Sequence, residues 1–333
     1  MNVLIDGRAL VGNRTGIGVH TAEIARRLDT PPLIASHTEI ADKSGLEHCA
    51  FRVDEHALGV LWQQWSLPRI DGDVLWGPHG TLPMTWRKPS VVTMHDFTSI
   101  TMPGRHRLKT ILAFNLFIGR SLEQASRIAC VSRAVADETM RGFGVAPAKI
   151  ELVPNGVDEF FSPGGIEQDY ILFTGTLEPR KGVDDLIAVW QSLSAPRPRL
   201  VLCGDAGWKT RIPKEPGIEV TGYVTRKQLR ELYRGARVFV YPSRYEGFGI
   251  PPLEAMACGA AVIATRTGAI PEFGEGAALL IAPGDRGALR AALVRVLGDR
   301  ALRDELRARG PERAKLWTWD RSARVMMELL RCA

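Results

Sequence analysis

Short apolar runs alternate along the chain with stretches whose apolar residues recur at helical spacing. That alternation is the pattern of parallel sheets covered on both faces by helices. In the first half the runs predict strands at 2–6, 33–36, 74–76, 90–94, 127–131 and 150–153. In the second half they predict strands at 170–175, 199–203, 218–221, 238–241, 261–264 and 278–281. Helical stretches between them include 18–28, 120–124, 133–142, 182–193, 227–234 and 286–297, and 317–331 reads as a last amphipathic helix. The expected fold class is α/β, with two doubly wound, Rossmann-like domains at 1–158 and 166–316. Pro154-Asn-Gly-Val-Asp-Glu-Phe-Phe-Ser-Pro-Gly-Gly165 is rich in turn formers and reads as the hinge. Ligands of such sheets bind at the carboxyl ends of strands, so a cleft between the halves is the expected substrate site.

At 333 residues the chain suits two domains of roughly 150 residues each. Its net charge of +6 favours anionic partners, namely phosphorylated substrates or an anionic membrane surface. The Lys and Arg residues are spread out and no nucleic-acid-binding motif appears, so nucleic acid is not an expected partner. Five isolated cysteines, without a C-x-x-C pair, indicate neither a disulfide framework nor a zinc site and point to the cytoplasm. The chain opens directly on a predicted strand rather than a charged segment and apolar stretch, so no signal peptide is expected. The apolar run 111–118 is far below the ~20 residues needed to span a bilayer.

The densest chemistry lies in Glu246-Gly-Phe-Gly-Ile-Pro-Pro-Leu-Glu254, between a strand and a helix. Two carboxylates suit sugar and ribose hydroxyls, while glycine-exposed N–H groups and a helix start suit phosphate. Glu178-Pro-Arg-Lys-Gly182 places Arg180 and Lys181 after a strand and before a helix, where cations oppose the helix dipole. That unfavourable placement favours a diphosphate partner. The loop Gly12-Asn-Arg-Thr-Gly-Ile-Gly18 is a phosphate loop or a simple turn, since its spacing is not G-x-G-x-x-G.

His95-Asp96 ends an apolar strand, where function concentrates, although a lone histidine is more often structural. Asp71-Gly-Asp73 has the form of a metal-binding Asp-x-Asp, but it precedes its strand and reads as a turn. No other cluster has metal-ligand spacing. Trp62 and Trp65 fall on one helical face and are expected in the core. The basic stretch 105–109 reads as the solvated start of a buried helix, with an interfacial helix as the alternative.

Taken in order, Thr15-Gly-Ile-Gly18, His95-Asp96, Val131-Ser132, Pro154-Asn-Gly-Val-Asp158, Gly175-Thr-Leu-Glu-Pro-Arg-Lys181, Gly222-Tyr-Val224 and the Glu-x7-Glu pair span almost the whole chain. In that combination the sequence resembles a retaining family 4 glycosyltransferase of the GT-B fold, closest to the mannosyltransferase-like branch of bacterial surface polysaccharide (lipopolysaccharide) synthesis. The resemblance implies that Glu246 contacts the donor sugar near its reacting carbon and that Glu254 holds the ribose. It implies that Arg180 and Lys181, with the N–H groups of Phe248, Gly249 and Ile250, neutralise the diphosphate. Gly16 would approach the phosphates, His95 would touch the donor sugar, and the backbone near Val224 would read the base. The helix 317–331 would return to the first domain. Many relatives have an arginine where this chain has Thr176, which leaves neutralisation to Arg180 and Lys181.

The function so implied is metal-independent transfer of a hexose from a nucleoside diphosphate sugar, GDP-mannose favoured, to a glycan or lipid-linked glycan. No cofactor and no metal are expected. The resemblance further implies a cytoplasmic enzyme, at the inner membrane face as a peripheral protein, with front-face attack and retained configuration. The rival readings are a sugar-nucleotide epimerase of the same fold and a silent nucleotide-sugar-binding scaffold.

Overall fold

The computed structural model describes residues 1–12, 14, 16–56, 58–101, 117–205, 207 and 211–333. The basic stretch 105–109 and positions 111–116 of the apolar run lie outside the described residues, as do Asn13 and Thr15 of the glycine loop. The chain forms two compact units, residues 1–156 with 319–333 and residues 157–318.

The first unit is built on β1 (Val3–Asp6), β2 (Leu33–Ser36), β3 (Ala50–Val53), β4 (Val74–Gly77), β5 (Ser90–Met94), β6 (Arg127–Cys130) and β7 (Ile150–Leu152). They pair in the order β3-β2-β1-β4-β5-β6-β7, every ladder parallel. The central strands β1, β4 and β5 are buried along their whole length. Helices on both faces exclude water there, which is why these strands are mostly apolar rather than alternating.

The second unit holds β8 (Gln168–Thr174), β9 (Arg199–Cys203), β10 (Ile218–Gly222), β11 (Ala236–Tyr241), β12 (Val262–Thr265) and β13 (Leu279–Ile281). Their order is β10-β9-β8-β11-β12-β13, again all parallel. In each sheet the order reverses beside the first strand, between β1 and β4 and between β8 and β11. Chains leave opposite faces at such a point, opening a crevice at the strands' carboxyl ends.

Three elements depart from the expectation. The edge strand β3 is mostly exposed and short, with Arg52 among its apolar residues, so its pattern is weak. A helix at Arg300–Ala314 had no predicted counterpart, because its many arginines leave a thin apolar stripe. Trp62 is fully buried, whereas Trp65 is 58% exposed, because the helix Gly59–Trp65 ends there and the chain turns into a tighter helical turn at Leu67–Arg69.

The last helix, Trp319–Arg331, belongs to the first unit and packs against the helix Gly16–Ala25. Met326, Leu329 and Leu330 enter that unit's core beside Ile5, Ile24 and Trp76. Ser322 donates to the Pro154 carbonyl at 2.5 Å, and Arg331 pairs with Asp29 at 2.6 Å. Among the described residues no helix is long and apolar enough to cross a membrane.

Candidate active site

At the reversal point of the second sheet, the segment after β8 delivers Arg180 and Lys181, and the segment after β11 delivers Ser243 and Glu246. A short helical turn, Pro179–Lys181, ends at Gly182, whose φ of 70° opens the helix Val183–Gln191. A Cβ at Gly182 would lie 2.2 Å from the Pro242 carbonyl oxygen, so only glycine lets the two segments approach so closely. The Arg244 N–H donates to the Arg180 carbonyl at 2.8 Å and fastens them together.

Glu246 is the centre of the arrangement. Its Oε1 accepts from Lys181 Nζ at 2.6 Å, Ser243 Oγ at 2.6 Å, the Tyr241 hydroxyl at 3.0 Å and Arg180 Nη1 at 3.4 Å. Lys181 Nζ also donates to the Tyr241 hydroxyl at 2.8 Å, and Arg180 Nη2 pairs with Glu178 at 2.7 Å. Burial alone would push the Glu246 carboxyl up, but Lys181 and Arg180 beside it hold it below its usual range. The side chains of Arg180, Lys181 and Glu246 are 15%, 13% and 10% exposed, so the cluster is fixed yet still meets solvent. The two carboxylates fix the two cations in place.

Beside this cluster Gly249, at φ 97°, opens the helix Ile250–Ala257. The N–H groups of Phe248, Gly249 and Ile250 have no backbone acceptor among the described residues. Phe248 itself is buried against Phe273 and Trp317, which fixes the loop. Glu254 sits one turn into that helix and accepts from the Tyr233 hydroxyl at 3.0 Å. Burial pushes its carboxyl up to about 7, against the pull of Tyr233 and Arg226. Val224 is half-buried between Gly222 and the capping box of Thr225 and Gln228.

The expected residues therefore separate. Arg180, Lys181 and Glu246 form one hydrogen-bonded cluster, with Phe248, Gly249, Ile250 and Glu254 on the same segment. Gly16 and His95 belong to the first unit. Gly16 opens the helix Gly16–Ala25, and His95 Nε2 donates to the Pro78 carbonyl at 2.9 Å. Burial holds the His95 imidazole well below its usual range. Asp71 pairs with Lys88 at 2.9 Å and Asp73 accepts from the Asn2 N–H at 2.7 Å, so Asp71-Gly-Asp73 is a fastened turn. Among the described residues no group of three or more His, Cys, Asp or Glu is placed to hold a metal ion.

Sequence reasoning missed Tyr241, Ser243, Tyr233 and Glu178. The available signal was the place of Tyr241 and Ser243 after β11, directly across the reversal point from Lys181.

The family described as Glycosyltransferase Family 4 matches residues 57–159, and that described as Glycosyl transferases group 1 matches residues 168–299. The chain is 31% identical over 282 residues to the O-antigen chain mannosyltransferase B of Escherichia coli, across 78% of this chain and 74% of that one. The chain belongs to the family 4 glycosyltransferases. Among solved structures, Anabaena Alr3699/HepE in complex with UDP and glucose superposes with a TM-score of 0.80 at 20% identity, covering 99% of each chain. Sucrose-phosphate synthase from Thermosynechococcus elongatus gives 0.79 at 21% identity, covering 99% of this chain and 98% of that one. The glycosyltransferase thus has the GT-B fold, with two parallel-sheet, Rossmann-like units.

Proposed function

We propose that this glycosyltransferase moves a hexose, mannose favoured, from a nucleoside diphosphate sugar to a hydroxyl of a glycan or lipid-linked glycan in surface polysaccharide synthesis. The Lys181–Glu246–Arg180 cluster at the tips of β8 and β11 carries this reading. Mannose rests on the likeness to the Escherichia coli O-antigen mannosyltransferase, and guanine is the favoured donor base. The enzyme is placed in the cytoplasm, at the inner membrane face as a peripheral protein.

The hard step is departure of the diphosphate, which gains negative charge as the bond to the sugar breaks. Arg180, Lys181 and the N–H groups of Phe248, Gly249 and Ile250 would stabilise that charge. Because they are already oriented, they need no reorganisation and no metal. Glu246 grips sugar hydroxyls near the reacting carbon, Glu254 holds the ribose, and the backbone near Val224 reads the base.

A carboxylate whose Oε1 already accepts from four donors, and whose pKa is depressed, is a weak nucleophile and a weak base. This supports front-face attack through an oxocarbenium-like state over a covalent intermediate. The leaving phosphate takes the acceptor's proton, and configuration is retained.

The test is nucleoside diphosphate release and glycan extension by the purified chain given GDP-mannose and a mannan oligosaccharide, with the product's anomeric signal read by proton NMR. Retained configuration and a rate insensitive to chelator are expected. An inverted product would overturn the mechanism, and inertness toward every nucleoside diphosphate sugar would overturn the assignment.

A further inference from the structure

Three tyrosines are buried in the second unit: Tyr170, Tyr233 and Tyr241. A buried phenol needs a partner, and a backbone carbonyl is enough to supply one. Tyr170 is satisfied in that way, donating to the Leu232 carbonyl at 2.7 Å. Tyr241, the last residue of β11, is not. Its hydroxyl accepts from Lys181 Nζ at 2.8 Å and donates to Glu246 Oε1 at 3.0 Å. The residue is 1% exposed, and the Phe173 and Phe239 rings lie nearly parallel to its own at 6.0 and 6.1 Å. Packing fixes the ring, and the ring fixes the hydroxyl between cation and carboxylate.

The donors to Glu246 all meet one oxygen. Lys181, Ser243, Tyr241 and Arg180 bond to Oε1, and none of the described residues donates to Oε2. Nor is Oε2 one of the buried polar atoms without a partner, so solvent reaches it. The terminal torsion of a glutamate is soft and two-fold, so hydrogen bonds decide which oxygen points where. Here they turn Oε1 inward and leave Oε2 as the oxygen a ligand can use.

Lys181 and Arg180 keep this carboxyl ionised, and an ionised carboxylate oxygen only accepts. Ionised phosphates have no proton to give it, whereas the hydroxyls of a sugar do. The two hydroxyls that hold Oε1 are not equivalent. That of Ser243 has the Arg180 and Tyr245 carbonyls as alternative acceptors, at 3.3 and 3.2 Å. That of Tyr241 has, among the described residues, Glu246 alone.

We infer that Tyr241 is a positioning residue whose hydroxyl holds Glu246 Oε1 against Lys181, so that Oε2 receives a hydroxyl of the donor sugar. The inference rests on the reading of this cluster as the donor site. It assigns Tyr241 to the sugar and not to the nucleotide, which in that reading meets Arg180, Lys181, Glu254 and the backbone near Val224.

The experiment is calorimetric titration of wild type and Tyr241→Phe with GDP and GDP-mannose, and with UDP and UDP-glucose. The substitution keeps the packed ring and removes only the hydroxyl. For the pair that the wild type binds, affinity for the sugar nucleotide should fall about three- to tenfold, the worth of about one hydrogen bond. Affinity for the bare nucleoside diphosphate should stay within about twofold. A hydroxyl that served the fold alone would lower the melting temperature and leave the ratio of the two affinities untouched. Ser243→Ala removes the other hydroxyl from Oε1 and should shift that ratio less, in the same direction, which gives a second reading if Tyr241→Phe folds poorly.

A ratio unchanged by both substitutions overturns the inference and leaves the donor site standing. If the wild type binds none of the four ligands, the donor reading falls, and the role of Tyr241 with it.

Discussion

Lys181 and Glu246 each need the other in place. Removing Lys181 takes a cation from the proposed diphosphate position and one of the two nearest partners from a carboxylate that also depends on Ser243 and Tyr241. Lys181→Ala should fold, since the side chain reaches solvent, but lose about 10²–10³ in turnover, the usual cost of deleting one preorganised donor. Near-normal turnover by a folded variant would remove Lys181 from the chemistry.

Glu254 predicts a pH effect of definite sign. Its folded pKa of about 7 lies above the ordinary 4.5, so the folded chain binds this proton more tightly than the unfolded one. The stability this contributes is full below about 4.5 and is lost as pH rises through about 7. Thermal melts of the wild type should fall across that window relative to Glu254→Gln, which stays neutral and can still accept from Tyr233. Parallel curves for the two proteins would refute the buried, proton-holding carboxyl.

At the scale of elements, the site depends on two segments brought together by glycine and by ion pairs. Asp185, buried in the first turn of the helix Val183–Gln191, pairs with Arg244 at 2.7 Å and Arg286 at 2.5 Å. It thereby ties the Glu246 loop to the helix that follows Lys181. Gly182→Ala would combine an unfavourable φ of 70° with a Cβ 2.2 Å from the Pro242 oxygen. It should cost about 2 kcal/mol or more and lower activity with it, because one of the two segments must yield. Urea unfolding measures the first effect, and an unchanged midpoint would show that the approach is not needed.

The elements also show what a sequence can reveal. β1, β5 and β9 are legible because burial on both faces favours mostly apolar runs. The partly exposed edge strand β3 sends a mixed signal. Arg180, Lys181, Glu246 and Glu254 stand out because charge at a strand tip or helix start opposes local preference. Ser243 and Tyr241 do not, because their meeting with Glu246 comes from the turn after β11 and leaves no mark in spacing. Trp65 was misplaced for a similar reason: helical periodicity cannot say that the helix stops there.

At the scale of the molecule, the chain passes from the first unit to the second after Gly156 and returns after Thr318. The first unit's core is therefore incomplete until the final helix arrives with Met326, Leu329 and Leu330. Met326→Ala removes a fully buried side chain from that core and should cost about 2–5 kcal/mol. Apart from the expected approach of Gly16, the proposed nucleotide contacts lie in the second unit, whose sheet does not use this helix. Scanning calorimetry should then show two separable responses. Met326→Ala should lower the transition of the first unit, while saturating GDP or UDP should raise that of the second by mass action in wild type and variant alike. The binding energy of the nucleotide can act only on the unit that holds it, so a variant that lost nucleotide stabilisation along with its first-unit transition would show that the donor contacts extend beyond residues 157–318.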